Sequence, residues 1–525
     1  MSEILFQYQR ISPTTWIYVS SLLTIGLYFK FSRFWSVRNL DLVLLILLAP
    51  GLLMVVQGKT LQRTPPVAAP IGPLHGTPQP VVGQPPQMIL PLTISSLAAM
   101  TPEDAAPPVD VFSEGTFLDL TAEDSPEGSL IDDEPKLPEH VIQGQQREAT
   151  GYIWLFSVGA LLLVRLLIDP NMVRRPLLEP NLTSGGLTFI GCALFVFLMA
   201  NVITGAPTAD DLRGPQAAAN LIARRDTSRD TDTLAKYGPG LGWIYTLPTI
   251  LTTALVEAPA DLAPPEREEF VWAVAAKIMA ILSHLAIVVG MIVIGYRHFD
   301  NLRMGIGAAA LYLMLPYLAE MTGRVDHALP AALLVWGVVF YRQPLVAGMF
   351  LGLAAGVIYY PLFLLPLWMS FYWQRGLARF AAGLVLMLVF LALSRIFTSS
   401  DIASFWLQIK AMFGIRSPAM SDLQGIWRVA WDPAYRIPIL AAFIALSGTL
   451  ALWPPRKNLG TLLSCSAAIM LAAQFWHGYD GGTHMAWYLP LLLLTVFRPN
   501  LEDRVAIAVL DKGRWPRLAN MSRAA

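Results

Sequence analysis

The stretch "GRVDHALPAALLVWG" (residues 323–337) begins with Arg324, Asp326 and His327 and continues into an apolar run. Similar apolar runs recur along the whole chain: hydrophobic residues make up 55% of it, charged residues 14%, and the mean hydropathy is +0.52. Soluble domains carry about a quarter charged residues. The composition therefore predicts an all-α polytopic membrane protein, in which helices satisfy the backbone hydrogen bonds inside the bilayer.

The apolar segments predict about 13 transmembrane helices, since a span needs about 20 mostly apolar residues. The proline in "YYP" (residues 359–361) predicts a broken helix pair around it. The first segment lacks the basic head and cleavage site of a signal peptide, so we expect a retained helix. The predicted spans lie near residues 16–29, 41–56, 151–168, 187–203, 270–294, 304–318, 329–341, 345–358, 362–371, 380–396, 438–452, 459–475 and 485–497.

Basic residues occur in alternate loops between these spans, and such loops are cytoplasmic in most membrane proteins. With an odd number of spans, the N-terminus and the intervening loops then lie outside and the C-terminus lies in the cytoplasm. The residues that carry this pattern are Lys30, Arg33, Arg38, Arg165, Arg174, Arg175, Arg297, Arg303, Arg342, Arg375, Arg379, Arg456, Lys457 and the tail arginines.

The pattern divides the chain into five regions. Residues 1–58 form a two-span hairpin, and residues 59–150 form a proline-rich and then acidic outer loop that we expect to be largely disordered. Residues 151–186 add one span and a cytoplasmic loop. Residues 187–498 form the main transmembrane core, and residues 499–525 a basic cytoplasmic tail. Within the core, the outer loop 204–269 predicts a helix over Pro215–Arg225 and an interfacial helix in "LGWIYTLPTILTTALVEA" (residues 241–258).

Polar and titratable residues gather in the predicted outer loops. Charged side chains in or near a bilayer cost free energy, so their presence there suggests a functional site. Carboxylates can act as bases, and arginine or histidine can hold a phosphate. A simpler interpretation stays open, because aspartates cap helices, Arg–Asp pairs close turns and histidines join interfacial aromatic belts. The candidate site residues are Asp210, Asp211, Arg213, Glu320, Arg324, Asp326, His327, Tyr359, Tyr360, His477, Tyr479, Asp480 and His484.

The order of these elements resembles the GT-C class of membrane glycosyltransferases. The stretch "GRVDHALPAALLVWGVVFYRQPLVAGMFLGLAAGVIYYPLFLLPLWMSFYWQRG" (residues 323–376) is most similar to the bacterial mannosyltransferase branch that uses polyprenyl-phosphate mannose. The resemblance covers about residues 187–497, and the first three spans lie outside it. It implies a GT-C-like core with a long first outer loop carrying interfacial helices, in a multi-pass protein of the bacterial cytoplasmic (inner) membrane.

The resemblance also implies a reaction. A hexose, with mannose as the first candidate, passes from a polyprenyl-phosphate donor to an acceptor hydroxyl on a glycan, lipid or protein, and no nucleic acid is involved. Asp210 or Asp211 matches the catalytic base, and Asp326 with Arg324 matches a second acidic position. Arg324 and the outer histidines would stabilise the leaving phosphate, and a divalent metal such as Mg²⁺ or Mn²⁺ could bridge phosphate and carboxylates.

Two other functions remain open at the level of sequence. The first is a transporter or flippase for a lipid-linked or anionic substrate, for which Lys277 and His284 in the fifth predicted span are the best mid-membrane candidates. The second is a non-catalytic scaffold organised around the acidic loop. Both cysteines, Cys192 and Cys465, lie in apolar segments and are expected to serve packing alone.

Overall fold

The computed structural model describes residues 12–63, 138–172, 178–227, 236–414, 420–455 and 457–499, and these residues are α-helical with no β-strand. The first half of the chain contributes α1 (Pro13–Tyr28), α2 (Val37–Arg63), α3 (Glu139–Ile168), α4 (Ser184–Thr204), α5 (Ala209–Ile222), α6 (Pro239–Leu255) and α7 (Pro264–His298). The second half contributes α8 (Leu302–Met314), α9 (Pro316–Met321), α10 (Val325–Val339), α11 (Pro344–Val357), α12 (Leu365–Tyr372), α13 (Leu377–Ser394), α14 (Ile402–Met412), α15 (Ile426–Val429), α16 (Arg436–Leu452), α17 (Leu459–Trp476) and α18 (Leu489–Phe497).

Seven of the helices are long and apolar enough to cross a membrane: α2, α3, α4, α7, α13, α16 and α17. Large apolar side chains on their outer surfaces are exposed, among them Phe189 at 75% and Leu386 at 59%. Such a surface suits lipid rather than water. The prediction of an all-α membrane protein is confirmed at this level, while the number of about 13 spans stays a prediction.

The other predicted spans are helical but short, because proline interrupts several of them. The segment near residues 304–318 is divided at Leu315 into α8 and α9, and Pro316 begins the second piece. Around Pro361 the chain forms a short 3₁₀ turn before α12, as expected for a broken pair. Several of these short helices lie in the interior: α10 and α18 are buried along almost their whole length.

The outer loop between α4 and α7 differs from the prediction in where its first helix begins. That helix, α5, begins at Ala209 rather than Pro215, because Thr208 and Asp211 form a capping box. The Asp211 Oδ2 accepts hydrogen bonds from the Thr208 backbone N–H (2.8 Å) and hydroxyl (2.7 Å). Both aspartates of the candidate site therefore lie in the first turn of a helix. The second helix, α6, continues through Pro248 and packs against α5.

Helices α2 and α3 both reach into the region that the sequence assigned to the long outer loop 59–150. They pack as an antiparallel pair in which Gly58 lies against Gly144, where an added Cβ would stand 2.7 Å from the Gly144 carbonyl oxygen. The glycines at this crossing permit the close approach of the two helices, which are helical through residues 59–63 and 139–150. The rest of the loop, for which we predicted disorder, comprises residues 64–137 and lies outside the described residues. The same holds for residues 500–525 of the basic tail.

Charged residues gather at two opposite ends of the helices. Asp41 and Lys59 stand at the two ends of α2, about five turns or about 27 Å apart. At the Asp41 end, Arg165 binds Asp41 (2.7 Å) and Asp169 (2.9 Å), and Arg498 binds Asp169 (2.7 Å). Every described side chain of this network belongs to a predicted cytoplasmic loop or to the end of a span beside one. The predicted outer loops meet at the Lys59 end.

Candidate functional site

A cavity of about 440 Å³, here called the main cavity, lies where the predicted outer loops meet. Eight of the candidate residues line it: Asp210, Arg324, Asp326, Tyr360, His477, Tyr479, Asp480 and His484. Five more lining residues did not stand out from the sequence: Lys236, Tyr237, Ile358, Gln424 and Trp487.

Arg324 is the centre of the acidic part of the site. It precedes α10, and its guanidinium holds the Asp326 carboxylate through two hydrogen bonds of 2.7 and 3.0 Å. The same guanidinium lies 3.6 Å from an Asp210 oxygen and 3.7 Å from an Asp211 oxygen. Burial alone would lower the pKa of Arg324, but Asp326 and its neighbours raise that pKa above the usual value. The guanidinium of Arg324, which stays charged, therefore lies close to three carboxylates.

The adjacent aspartates face different cavities, because consecutive helical residues point about 100° apart. Asp210 lines the main cavity and pairs with Arg213 (3.0 Å) and Lys236 (3.9 Å). Asp211 lines a second cavity of about 640 Å³, here called the lateral cavity, which Glu320 and Lys277 also line. Arg324 lines both cavities and stands in the wall between them.

Asp211 has one oxygen available for chemistry. Its Oδ2 is held by Thr208, whereas its buried Oδ1 has no hydrogen-bond partner among the described residues. Burial and the charge of Asp326 raise the pKa of Asp211 to about 6, although Thr208 and Arg324 act in the opposite direction. A carboxyl with a pKa near 6 can accept and release a proton close to neutral pH.

Three buried histidines contact one another beside the main cavity, one pair of rings tilted and the other edge-to-face. The ring centroids of His327 and His484 are 4.2 Å apart, and those of His477 and His484 are 4.7 Å apart. Burial lowers the pKa of His477 and of His484 well below the usual value, and each is lowered further by a neighbouring imidazole. Both are neutral near pH 7. The lowered pKa values favour the neutral imidazoles, so Arg324 and Lys236 supply the positive charge at the main cavity. That these two histidines stabilise a leaving phosphate stays a prediction.

Asp326, His327 and His484 each offer a ligand atom within 4.8 Å of the others. This group does not fit the expected Mg²⁺ or Mn²⁺, since two imidazoles suit zinc-like metals and Mg²⁺ prefers oxygen ligands. The Asp326 Oδ2 already accepts hydrogen bonds from Arg324 and from the Tyr237 hydroxyl (3.1 Å). Asp210 and Asp211 are not part of the group.

The last turn, residues 477–488, is held by the first helices of the chain. Asp480, with a positive φ of 54°, pairs with Lys59 of α2 (2.7 Å) and accepts a hydrogen bond from Tyr152 of α3 (2.9 Å). Burial would raise the pKa of Asp480, but Lys59 and Tyr152 lower it to about 2. The first spans lie outside the GT-C resemblance, yet they position a wall of the main cavity.

Lys236 and Tyr237 reach the main cavity because the next residues pack closely on α11. Gly238 donates a backbone hydrogen bond to the Val357 carbonyl (2.9 Å), and a Cβ on Gly238 would stand 2.2 Å from the Gly356 oxygen. Only glycine fits so close a backbone approach. The "KYGPG" turn (residues 236–240) was the available sequence signal for these two cavity residues.

The remaining candidates lie around the two cavities. Tyr359 stacks on Tyr360 with ring centroids 4.2 Å apart, and Arg213 pairs with Asp210 of the main cavity. Lys277 donates to the Ile203 carbonyl (2.8 Å), and both ring nitrogens of His284 are hydrogen-bonded, to Tyr312 and to the Thr322 carbonyl.

Comparison of the chain with protein-family models, with curated proteins and with solved structures gives no match.

Proposed function

We propose that the protein is an integral membrane glycosyltransferase, which moves a hexose from a polyprenyl-phosphate donor to an acceptor hydroxyl. The observation that carries the proposal is the placement of Asp210 and Asp211. Two adjacent carboxylates face two separate cavities, and Arg324 stands between them. A transferase that joins two substrates needs two binding spaces that meet at the reacting atoms.

The composition of the main cavity supports its assignment to the donor. Lys236 and Arg324 can bind a phosphate through charge-assisted hydrogen bonds. Tyr360, Tyr479 and Trp487 offer aromatic rings on which a sugar can stack. The neutral His477 and His484 can hydrogen-bond to sugar hydroxyls. The lateral cavity then takes the acceptor.

Asp211 is the better candidate for the base. The acceptor hydroxyl attacks the anomeric carbon, a new C–O bond forms, and the bond from that carbon to the phosphate oxygen breaks. The acceptor proton passes to the Asp211 Oδ1, and polyprenyl phosphate leaves with its bonding electrons while Arg324 and Lys236 stabilise its charge. A base of this kind contributes about 100- to 10,000-fold to the rate.

The location follows from the same proposal. The cavities lie at the end of the bundle where the predicted outer loops meet, so the reaction takes place on the extracytoplasmic side of a bacterial cytoplasmic membrane. A lipid-linked donor suits this side, because transfer from such a donor needs no soluble nucleotide sugar. Mannose remains the first candidate for the sugar, from the resemblance alone.

The test is transfer of sugar from polyprenyl-phosphate mannose, and from other polyprenyl-phosphate hexoses, by the purified full-length protein in lipid. We expect Asp211→Asn to lower the rate at least 100-fold, and Asp210→Asn to lower it less and to raise KM for the donor. Asp401→Asn is the matched control, because that exposed aspartate only caps α14. Wild-type rates in both cavity variants, or no transfer by the wild type from any such donor, would refute the proposal.

The structure offers less to the transport alternative. Its two mid-membrane candidates, Lys277 and His284, are both engaged with backbone or tyrosine partners. Neither set of contacts favours transport over sugar transfer.

A further inference from the structure

A third cavity, of about 620 Å³, lies between α5, α6 and the end of α13. It shares Tyr237 with the main cavity but is otherwise separate from it. Its described lining contains two arginines, Arg213 and Arg395, and no aspartate or glutamate. Arg213 is already paired with Asp210. The cavity is therefore positively charged through Arg395.

Three hydrogen-bond donors of this cavity lack partners. The Nε of Arg395, the hydroxyl of Thr227 and the indole Nε1 of Trp243 are each buried without a hydrogen-bond partner among the described residues. Buried donors without partners are rare and costly. Three of them around one space indicate that the space receives an acceptor.

Other contacts hold these donors together. The backbone N–H of Thr227 donates to the Thr398 carbonyl (3.2 Å), in the 3₁₀ turn that begins at Arg395. The Trp243 ring packs on Phe390 of α13, with centroids 4.9 Å apart. The three donors are thus presented by one rigid corner of the fold, which suits recognition of a fixed anion better than of a variable polar group.

The surroundings of Arg395 point to a lipid as the source of that anion. Arg395 lies near the end of a helix that is apolar and long enough to span a membrane. Its neighbours Leu393, Ile396 and Phe397 are 46–58% exposed. An arginine at the end of a span lies at the depth of lipid headgroups, and its planar fork matches a phosphate.

We propose that this cavity binds the phosphate headgroup of an anionic membrane lipid, held by Arg395, Thr227 and Trp243, with its hydrocarbon chain along the exposed apolar surface of α13. This lipid site is distinct from the donor site of the main cavity and does not depend on glycosyl transfer. Its occupancy would fix the position of α6 against α13, and so of Tyr237 at the edge of the main cavity.

The test uses full-length protein in phosphatidylcholine nanodiscs with or without phosphatidylglycerol, and counts retained lipids by native mass spectrometry after extraction. We expect wild type to retain phosphatidylglycerol, and Arg395→Gln to weaken its retention about 10- to 100-fold, the loss typical of a charge-assisted hydrogen bond. Arg379→Gln is the matched control, since Arg379 is an exposed arginine at the other end of the same helix.

Thr227→Val, nearly equal in shape, provides a second variant if Arg395→Gln does not fold; we expect it to weaken retention several-fold. A parallel arm adds inorganic phosphate alone and should show no binding at comparable concentrations. Retention by Arg395→Gln or Thr227→Val equal to that of Arg379→Gln would overturn the site. Tight binding of inorganic phosphate without retention of lipid would overturn the assignment to a lipid.

Discussion

The ammonium group of Lys59, at the end of α2, lies 2.7 Å from the carboxylate of Asp480 in the last turn of the fold. This pair joins the first helical hairpin to the main cavity, because Asp480 lines that cavity and also accepts a hydrogen bond from Tyr152. The hairpin therefore takes part in the candidate site, although the GT-C resemblance does not include it.

The first prediction concerns this pair. Lys59→Met should lower the transfer rate several-fold, because Asp480 keeps Tyr152 but loses its ion pair with Lys59, while the free energy of unfolding falls by less than about 1 kcal/mol, as for partly exposed ion pairs. Lys410→Met, at an exposed lysine of α14, is the control. Transfer assays and thermal unfolding of both variants provide the measurement, and an unchanged rate for Lys59→Met would remove the hairpin from the site.

The second prediction is a pH dependence of transfer. The pKa of Asp211 is raised to about 6, so its base form is lost below that pH. The rate should fall about tenfold per pH unit below pH 6 and level off above it. The raised pKa also means that Asp211 stabilises the fold at low pH, an effect lost as the pH rises through 6. Asp211→Asn should abolish the inflection in the residual rate; an inflection that survives in this variant would assign it to another group.

The third prediction concerns Arg324. Arg324→Met leaves Asp210, Asp211 and Asp326 close together without their shared cation, and should destabilise the fold by about 2–4 kcal/mol, since breaking a largely buried ion pair leaves uncompensated charge. The double variant Arg324→Met, Asp326→Asn should recover part of that loss. Thermal unfolding of the wild type, both single variants and the double variant measures the coupling. Additive effects would show that Asp326 and Arg324 do not act as a pair.

The fourth prediction tests the close approach that places Tyr237. Gly238→Ala puts a methyl group 2.2 Å from the Gly356 carbonyl oxygen, so the turn must move away from α11. We expect a loss of about 1–3 kcal/mol in the free energy of unfolding and a higher KM for the donor. Gly191→Ala is the control, because a Cβ there meets nothing within 4 Å. Equal behaviour of the two variants would contradict the packing of this turn.

Much of the site could be predicted because charged residues are scarce in an apolar chain. Arg324, Asp326 and His484 stood out for that reason, and alternate basic loops placed them on one side. The start of α5 was misplaced because a proline such as Pro215 often marks the first turn of a helix. The helix in fact begins at the capping box of Thr208, in a polar stretch where no periodic pattern of apolar residues indicates a helix. Lys59 was missed because its partner Asp480 lies near the other end of the sequence, and no local pattern reports such a pair.

The fully buried Asp169 has a consequence for how the chain is assembled. One of its oxygens binds Arg165, and the other binds Arg498, which follows the last described helix. While the ribosome is still making the middle of the chain, this carboxylate lacks Arg498. We therefore expect the early helices to enter the membrane first, and this contact between Asp169 and Arg498 to form only after residue 498 has been synthesised.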